Sequence, residues 1–128
     1  MKQKTILVIE DNALNMKLVQ AILSPCGHKS LAAEDAESGL RMAREQRPDI
    51  VLMDIQLPAM DGLEATRIIK ADPDLKDVPV IALTSYAMKE DRQKSFAAGC
   101  DGYISKPLHP KHFLEKLSAF GVGEAKDQ

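Results

Sequence analysis

Five side chains could do chemistry together if the fold brings them to one place: Glu10, Asp11, Asp54, Thr84 and Lys106. Each lies at or just past the end of a short, mostly apolar run. Ile6 to Ile9 stops at Glu10-Asp11-Asn12, Ile50 to Met53 at Asp54, Val80 to Leu83 at Thr84, and Gly102 to Ser105 at Lys106-Pro107. A carboxylate at the end of a buried strand costs free energy to desolvate unless it reaches solvent, a cation or donors. Three carboxylates in one cleft would also repel one another and raise their own pKa values. A hard divalent cation resolves that conflict, and Mg²⁺ suits oxygen ligands, keeps several waters and readily holds phosphate oxygens. Together with Lys106 it would balance the three acids before an anionic group arrives. Asp54 is then a candidate nucleophile toward phosphorus, because aspartate carboxylates form acyl phosphates. Lys106 and the metal would neutralise phosphoryl oxygens during transfer, and the Thr84 hydroxyl could donate to the same group.

The elements that must hold these residues alternate along the chain. Thr5 to Ile9 reads as a first strand, followed by a helix capped by Asp11 or Asn12, with Leu14, Leu18, Ala21 and Ile22 at helical spacing until Pro25-Cys26-Gly27 stops it. A weakly signalled second strand, about His28 to Ala32, precedes a helix over Glu34 to Gln46 with Ala36, Leu40 and Ala43 on one face. Gly39 is an unfavourable residue inside it. After Pro48, Ile50 to Met53 form the third strand and Leu63 to Asp72 the third helix, with Ala65, Ile68 and Ile69 inward. Val80 to Leu83 is the fourth strand, Ala87 to Ala98 an amphipathic helix closed by Gly99, and Gly102 to Ser105 the fifth strand. The last helix starts at Pro110, buries Phe113, Leu114, Leu117 and Phe120, and ends at Gly121. Five strands alternating with five helices predict an α/β fold, a doubly wound parallel sheet with helices on both faces. Ligand sites in such sheets form outside the carboxyl ends of the strands, where the five polar positions fall.

At 128 residues the chain fits one domain, over residues 1–120, with a flexible tail over 121–128. A net charge of -2 argues against a nucleic-acid or membrane-surface binder. Cys26 and Cys100 form no C-x-x-C, which fits a reducing compartment, and no apolar run is long enough for a signal peptide or a membrane span. These features together predict a cytoplasmic protein.

The residues carry a resemblance to the receiver domain of two-component response regulators. It rests on Glu10-Asp11, on Asp54 with Pro58 and Asp61-Gly62, on Thr84, on Lys106-Pro107, and on Tyr103 three residues before that lysine. The stretches Glu-Asp-Asn-Ala-Leu-Asn-Met-Lys-Leu and Gly-Cys-Asp-Gly-Tyr-Ile-Ser-Lys-Pro further resemble the stand-alone DivK type. The resemblance implies a flavodoxin-like strand order 2-1-3-4-5. It implies that Asp54 accepts a phosphoryl group from a histidine kinase or histidine phosphotransfer protein. It further implies that Asp11, Asp54 and the backbone carbonyl of Gln56 bind Mg²⁺, with Glu10 acting through water, and that the bond to Pro107 is cis. Thr84 and Tyr103 would then switch a face made by the fourth helix, fifth strand and fifth helix, and that face would act on a downstream protein. Many receivers carry aspartate where this chain has Glu10.

Simpler readings exist for each residue alone. Asp54 could cap a strand, Glu10-Asp11 could cap a helix, Thr84 could end a strand, Lys106 could be a solvated loop lysine and Tyr103 could be packing. Gln56 and Tyr86 are expected to influence how long a phosphoryl group survives. His109 and His112 lack a third ligand at suitable spacing and read as helix-end residues, and Met42, Met53, Met60 and Met88 as filler. Three alternatives remain in function: a receiver cut from a hybrid histidine kinase, a phosphatase using an aspartyl-phosphate intermediate, and a binding module that keeps the fold without phosphorylation. The phosphatase class usually shows a D-x-D motif after its first strand, which this chain lacks, and no dinucleotide or P-loop glycine motif follows the first strand.

Overall fold

The computed structural model describes residues 3–57, 59–85 and 89–122, without the side chains of Lys89 and Asp91. Pro58, Tyr86, the first two residues expected of the fourth helix, Ala87 and Met88, and the tail beyond Val122 lie outside the described residues. Strands β1 (Thr5–Ile9), β2 (Lys29–Ala33), β3 (Ile50–Asp54), β4 (Val80–Thr84) and β5 (Gly102–Ser105) alternate with helices α1 (Ala13–Leu23), α2 (Ala36–Gln46), α3 (Gly62–Ala71), α4 (Lys89–Ala97) and α5 (Pro110–Ala119). All neighbouring strands are parallel, in the order β2-β1-β3-β4-β5.

Strand alternation divides the core into two layers. Ile6, Val8, Ile50, Leu52, Ile81, Leu83 and Ile104 point to one face, where they meet Met16, Val19, Ile22 and Leu23 of α1 and Phe113 and Leu117 of α5. Leu7, Ile9, Val51, Met53, Val80 and Ala82 point to the other, against Ala36, Leu40 and Ala43 of α2 and Ala65 and Ile69 of α3. Every residue of β3 and β4 is buried, as parallel strands covered on both faces require. Fully burying each Ile, Leu or Phe contributes roughly 1.5–3 kcal/mol. No described side chain of α4 enters either hydrophobic cluster. Its buried side chain is Ser95, so the amphipathic helix expected here has only a thin inner face.

The buried stripe of α1 differs from the one expected. Leu14 is 77% exposed and Leu18 38%, and Ala21 is also exposed. Helical spacing alone fits this stripe and the Met16, Val19, Leu23 stripe equally well, and the rotation of the helix decides between them. That rotation is set at Asn12, whose side chain accepts from the Asn15 backbone N–H at 3.0 Å. Ile68 is only half-buried, and Thr66 takes the fully buried place beside Ile69.

Caps explain most of the ends. Asp35 and Asp61 accept from the backbone N–H of Ser38 and Glu64 at 2.7 and 2.8 Å, starting α2 two residues later than expected and α3 one residue earlier. Gly99, at φ +107°, closes α4, donating its N–H to Phe96 O while Cys100 donates to Ser95 O. A similar motif at Gly121 ends α5 and turns Val122 back into the core.

Candidate functional site

Parallel register carries the polar strand ends to one edge. Ile9 lies beside Met53, Asp54 beside Leu83, and Thr84 beside Ser105, so the residues that follow each strand converge. Glu10 continues β1, donating its backbone N–H to Ala33 O at 3.0 Å. Lys106 continues β5, donating its backbone N–H to Thr84 O at 2.7 Å, and its bond to Pro107 is cis.

Glu10 and Asp54 are almost wholly buried, at 1% and 3% exposure, while Asp11 is exposed at the mouth. Ligand oxygens from the three carboxylates lie within 4.8 Å of one another. The Lys106 ammonium reaches both buried acids, at 2.8 Å from Glu10 Oε1 and 3.4 Å from Asp54 Oδ2. Asp54 Oδ1 accepts from the Gln56 backbone N–H at 2.9 Å, and Glu10 Oε2 from the Asn12 backbone N–H at 3.1 Å. Burial pushes the Glu10 carboxyl up to about 7, helped by the hydrogen bond and the charge of Asp54 and opposed by Lys106 and the Asn12 amide.

One positive side chain therefore serves two buried acids. The contact from Lys106 to Glu10 Oε1 is an ion pair without hydrogen-bond alignment, which leaves Oε1 a buried acceptor with no aligned donor among the described residues. An oxygen-only donor set, short of positive charge and open to solvent through Asp11, fits a hard cation such as Mg²⁺.

The backbone behind Asp54 is equally constrained. A Cβ on Gly62 would stand 2.3 Å from Asp54 O and 2.6 Å from Ile55 Cα. Only glycine lets α3 start so close to the end of β3, and Gly62 N–H donates to Ile55 O at 3.2 Å.

Of the expected site residues, Glu10, Asp11 and Asp54 are brought into mutual reach, and Lys106 reaches Glu10 and Asp54. Thr84 is buried at the end of β4 beside them. Gln56 joins through its backbone N–H and leaves its side chain exposed. Tyr103 lies apart on β5, half-buried, its hydroxyl accepting from Arg92 of α4 at 3.0 Å. Arg92 and Lys116 stand 5.6 and 5.4 Å from the centre of its ring, and Phe96 meets it edge-on at 6.2 Å. Sequence reasoning missed Asn12 as a donor to Glu10 and both cations on Tyr103. The spacing Arg92 to Phe96, one helical turn, was the available signal for the second.

The sequence matches the response regulator receiver domain over residues 6–118. It is 42% identical to the polar-differentiation response regulator DivK of Brucella anthropi, covering 95% of this chain and 98% of that protein, and 41% identical to DivK of Brucella ovis with the same coverage. The structure resembles the receiver domain of the Pseudomonas aeruginosa sensor histidine kinase PA1611, solved with a magnesium ion in its active-site cleft, with a TM-score of 0.86 and 36% identity over 92% of this chain and 97% of that one. It also resembles the Vibrio cholerae chemotaxis protein CheY4, with a TM-score of 0.88 and 25% identity over 92% and 98%. A match over nearly the whole chain, on a fold and an acidic cleft of this kind, makes the protein a member of the response regulator receiver domain family.

Proposed function

We propose that the protein is a DivK-like response regulator that accepts a phosphoryl group on Asp54 from a phosphohistidine donor in a Mg²⁺-dependent step. The observation that carries this reading is the position of the Asp54 carboxylate, buried and fixed between the Gln56 amide and the Lys106 ammonium within reach of two further acids. As Asp54 attacks phosphorus, the new O–P bond forms and the P–N bond breaks. The electron pair returns to the donor nitrogen, and the imidazole leaves neutral because its other ring nitrogen already carries a proton. Lys106 balances charge on the phosphoryl oxygens, Thr84 donates its hydroxyl to them, and the Gln56 N–H holds the carboxylate in line. Bound Mg²⁺, held by Asp11, Asp54 and the Gln56 carbonyl with Glu10 acting through water, supplies the positive charge that the site lacks.

Leu14 and Leu18 offer the donor an exposed apolar landing beside the mouth. The phosphoryl group then draws Thr84 inward and lets Tyr103 leave its place beside Arg92, which changes the face of α4, β5 and α5 toward a downstream protein. The weak anchoring of α4 supports this, because an element outside both clusters moves at little cost. Residues 1–120 act as one receiver unit. The absence of any helix long and apolar enough to cross a membrane, among the described residues, is consistent with a cytoplasmic setting.

Incubation with a radiolabelled phosphohistidine donor, with and without Mg²⁺, tests the reading. Label should appear on Asp54 only with the metal and vanish in Asp54→Asn. Label on another residue, or equal labelling of the variant, refutes it. The likeness to the PA1611 receiver favours one second reading, a receiver within a hybrid kinase; transfer only to or from a histidine phosphotransfer protein, with no downstream partner, would support it.

A further inference from the structure

Thr66 takes no part in the chemistry at Asp54, yet its hydroxyl is wholly buried just past the first turn of α3, where the residue is 0% exposed. Valine has nearly the same shape and no polar atom to satisfy, so packing alone does not account for a threonine there. Its Oγ1 lies 2.7 Å from the Gly62 carbonyl, one turn back, and 3.7 Å from the Cys100 thiol. A carbonyl only accepts, so the hydroxyl proton points at Gly62 O and the thiol proton at Oγ1. A hydroxyl that bonds back to its own helix slightly destabilises and bends it. The bond therefore serves the placement of the first turn, not the stability of α3.

That turn lies directly behind the acceptor. Gly62 N–H donates to Ile55 O at 3.2 Å, and a Cβ on Gly62 would stand 2.3 Å from Asp54 O, so any tilt of the turn pushes on the Asp54–Ile55 peptide. The same peptide sets where the Asp54 side chain leaves the backbone and where the Gln56 N–H meets Oδ1 at 2.9 Å. On the other side, Cys100 follows Gly99 at the close of α4 and donates its N–H to Ser95 O at 3.0 Å. A continuous line of bonded groups thus joins the end of α4 to the peptide after Asp54 through Cys100, Thr66 and Gly62. We infer that Thr66 is a positioning residue for phosphoryl acceptance: its hydroxyl, oriented by Cys100, sets the tilt of the first turn of α3 so that Gly62 aims the Asp54 carboxylate at phosphorus. The inference rests on the reading of Asp54 as the acceptor and adds what aims it. In-line attack tolerates little error, since a displacement of about 1 Å costs on the order of a hundredfold in rate.

Acceptance is measured with phosphoramidate, a small P–N donor that needs no docking surface, in the presence of Mg²⁺, with the phosphoryl group followed by intact mass and mapped to Asp54. Thr66→Val keeps the shape, removes the hydroxyl and should slow acceptance about tenfold. Thr66→Ser keeps the hydroxyl, leaves a methyl-sized gap and should stay within about threefold of wild type while melting lower than Thr66→Val. The two variants thus rank in opposite orders by rate and by stability, which a merely structural role cannot produce. Cys100→Ala leaves the hydroxyl without its thiol donor and should slow acceptance by about threefold. Amide NMR signals of Ile55 and Gln56 should shift in Thr66→Val and return in Thr66→Ser. A Thr66→Val protein at the wild-type rate, rates that follow melting temperature across the two variants, or unmoved signals at Ile55 and Gln56 overturn the inference. If the wild type itself takes no phosphoryl group on Asp54, the acceptor reading falls and the inference with it; if it does and Thr66→Val matches it, only the inference falls.

Discussion

Replacing Glu10 with glutamine should remove the pH dependence that this one carboxyl imposes on the metal-free protein. A carboxyl moved from 4.5 to about 7 on folding holds its proton in the native state after the unfolded chain has released it. Between those values the native state binds more protons, so stability falls as pH rises, and the loss is complete above about pH 7. The displacement corresponds to roughly 3 kcal/mol at full value, and relaxation around Lys106 at 2.8 Å brings the expected loss to about 2–3 kcal/mol. Glutamine keeps the shape and the acceptor for the Asn12 N–H and does not titrate. Urea unfolding of both proteins, in chelator-containing buffer at several values from about pH 5 to about pH 8, reports the contribution of Glu10 with its contacts to Asp54 and Lys106, because titrating groups remote from it cancel in the difference. The wild type should lose about 2–3 kcal/mol relative to Glu10→Gln across that range. Adding Mg²⁺ at the upper end should restore the wild type more than the variant, by mass action on a site that has shed its proton. Parallel pH profiles, or a wild type that gains on the variant as pH rises, would refute the assignment of burial as the dominant cause.

Gly62→Ala should destabilise by about 2–4 kcal/mol, since its Cβ meets backbone atoms of Asp54 and Ile55 that no rotamer can move, and should slow phosphoryl acceptance in the surviving folded fraction. Calorimetric melting checks the first part and labelling the second. Lys70→Met should cost about 1–3 kcal/mol in urea, because the ammonium donates to Lys76 O, Val78 O and Asp101 Oδ2, and Asp101 in turn accepts from the Val80 N–H at the start of β4. A variant as stable as wild type would mean water replaces all three contacts. Cys100 is buried and its thiol is pushed up by desolvation, against the Thr66 hydroxyl at 3.7 Å, and Cys26 is buried as well. A thiol reagent at neutral pH should therefore label neither until urea unfolds the chain; a fast native-state reaction would contradict their burial.

The fold was legible because each strand is a short apolar run ended by a polar residue, a pattern that depends on neighbours in sequence. The acidic cluster followed from the same punctuation, since parallel strands have little choice about which ends meet. What stayed hidden depended on distant partners. Leu14 and Leu18 match the helical period as well as Met16 and Val19 do, and only the docking of α1 on the sheet tells them apart. Gly39 looked like a flaw in α2, yet a Cβ there would stand 2.4 Å from Ile9 Cδ1, so its absence lets the helix lie close to β1. The nearness of Lys106 to Glu10 as well as Asp54, and the gathering of Arg92 and Lys116 on Tyr103, join side chains from separate elements across the fold.

Helix α4 contributes nothing to either hydrophobic layer among its described side chains, and this separates two demands that usually compete within one sequence. Changes on its outward surface leave both hydrophobic layers untouched, so residues there can be rewritten at little cost in packing. A designer who wanted a new recognition surface would begin with the exposed residues of α4 and leave Ser95 and β3 alone.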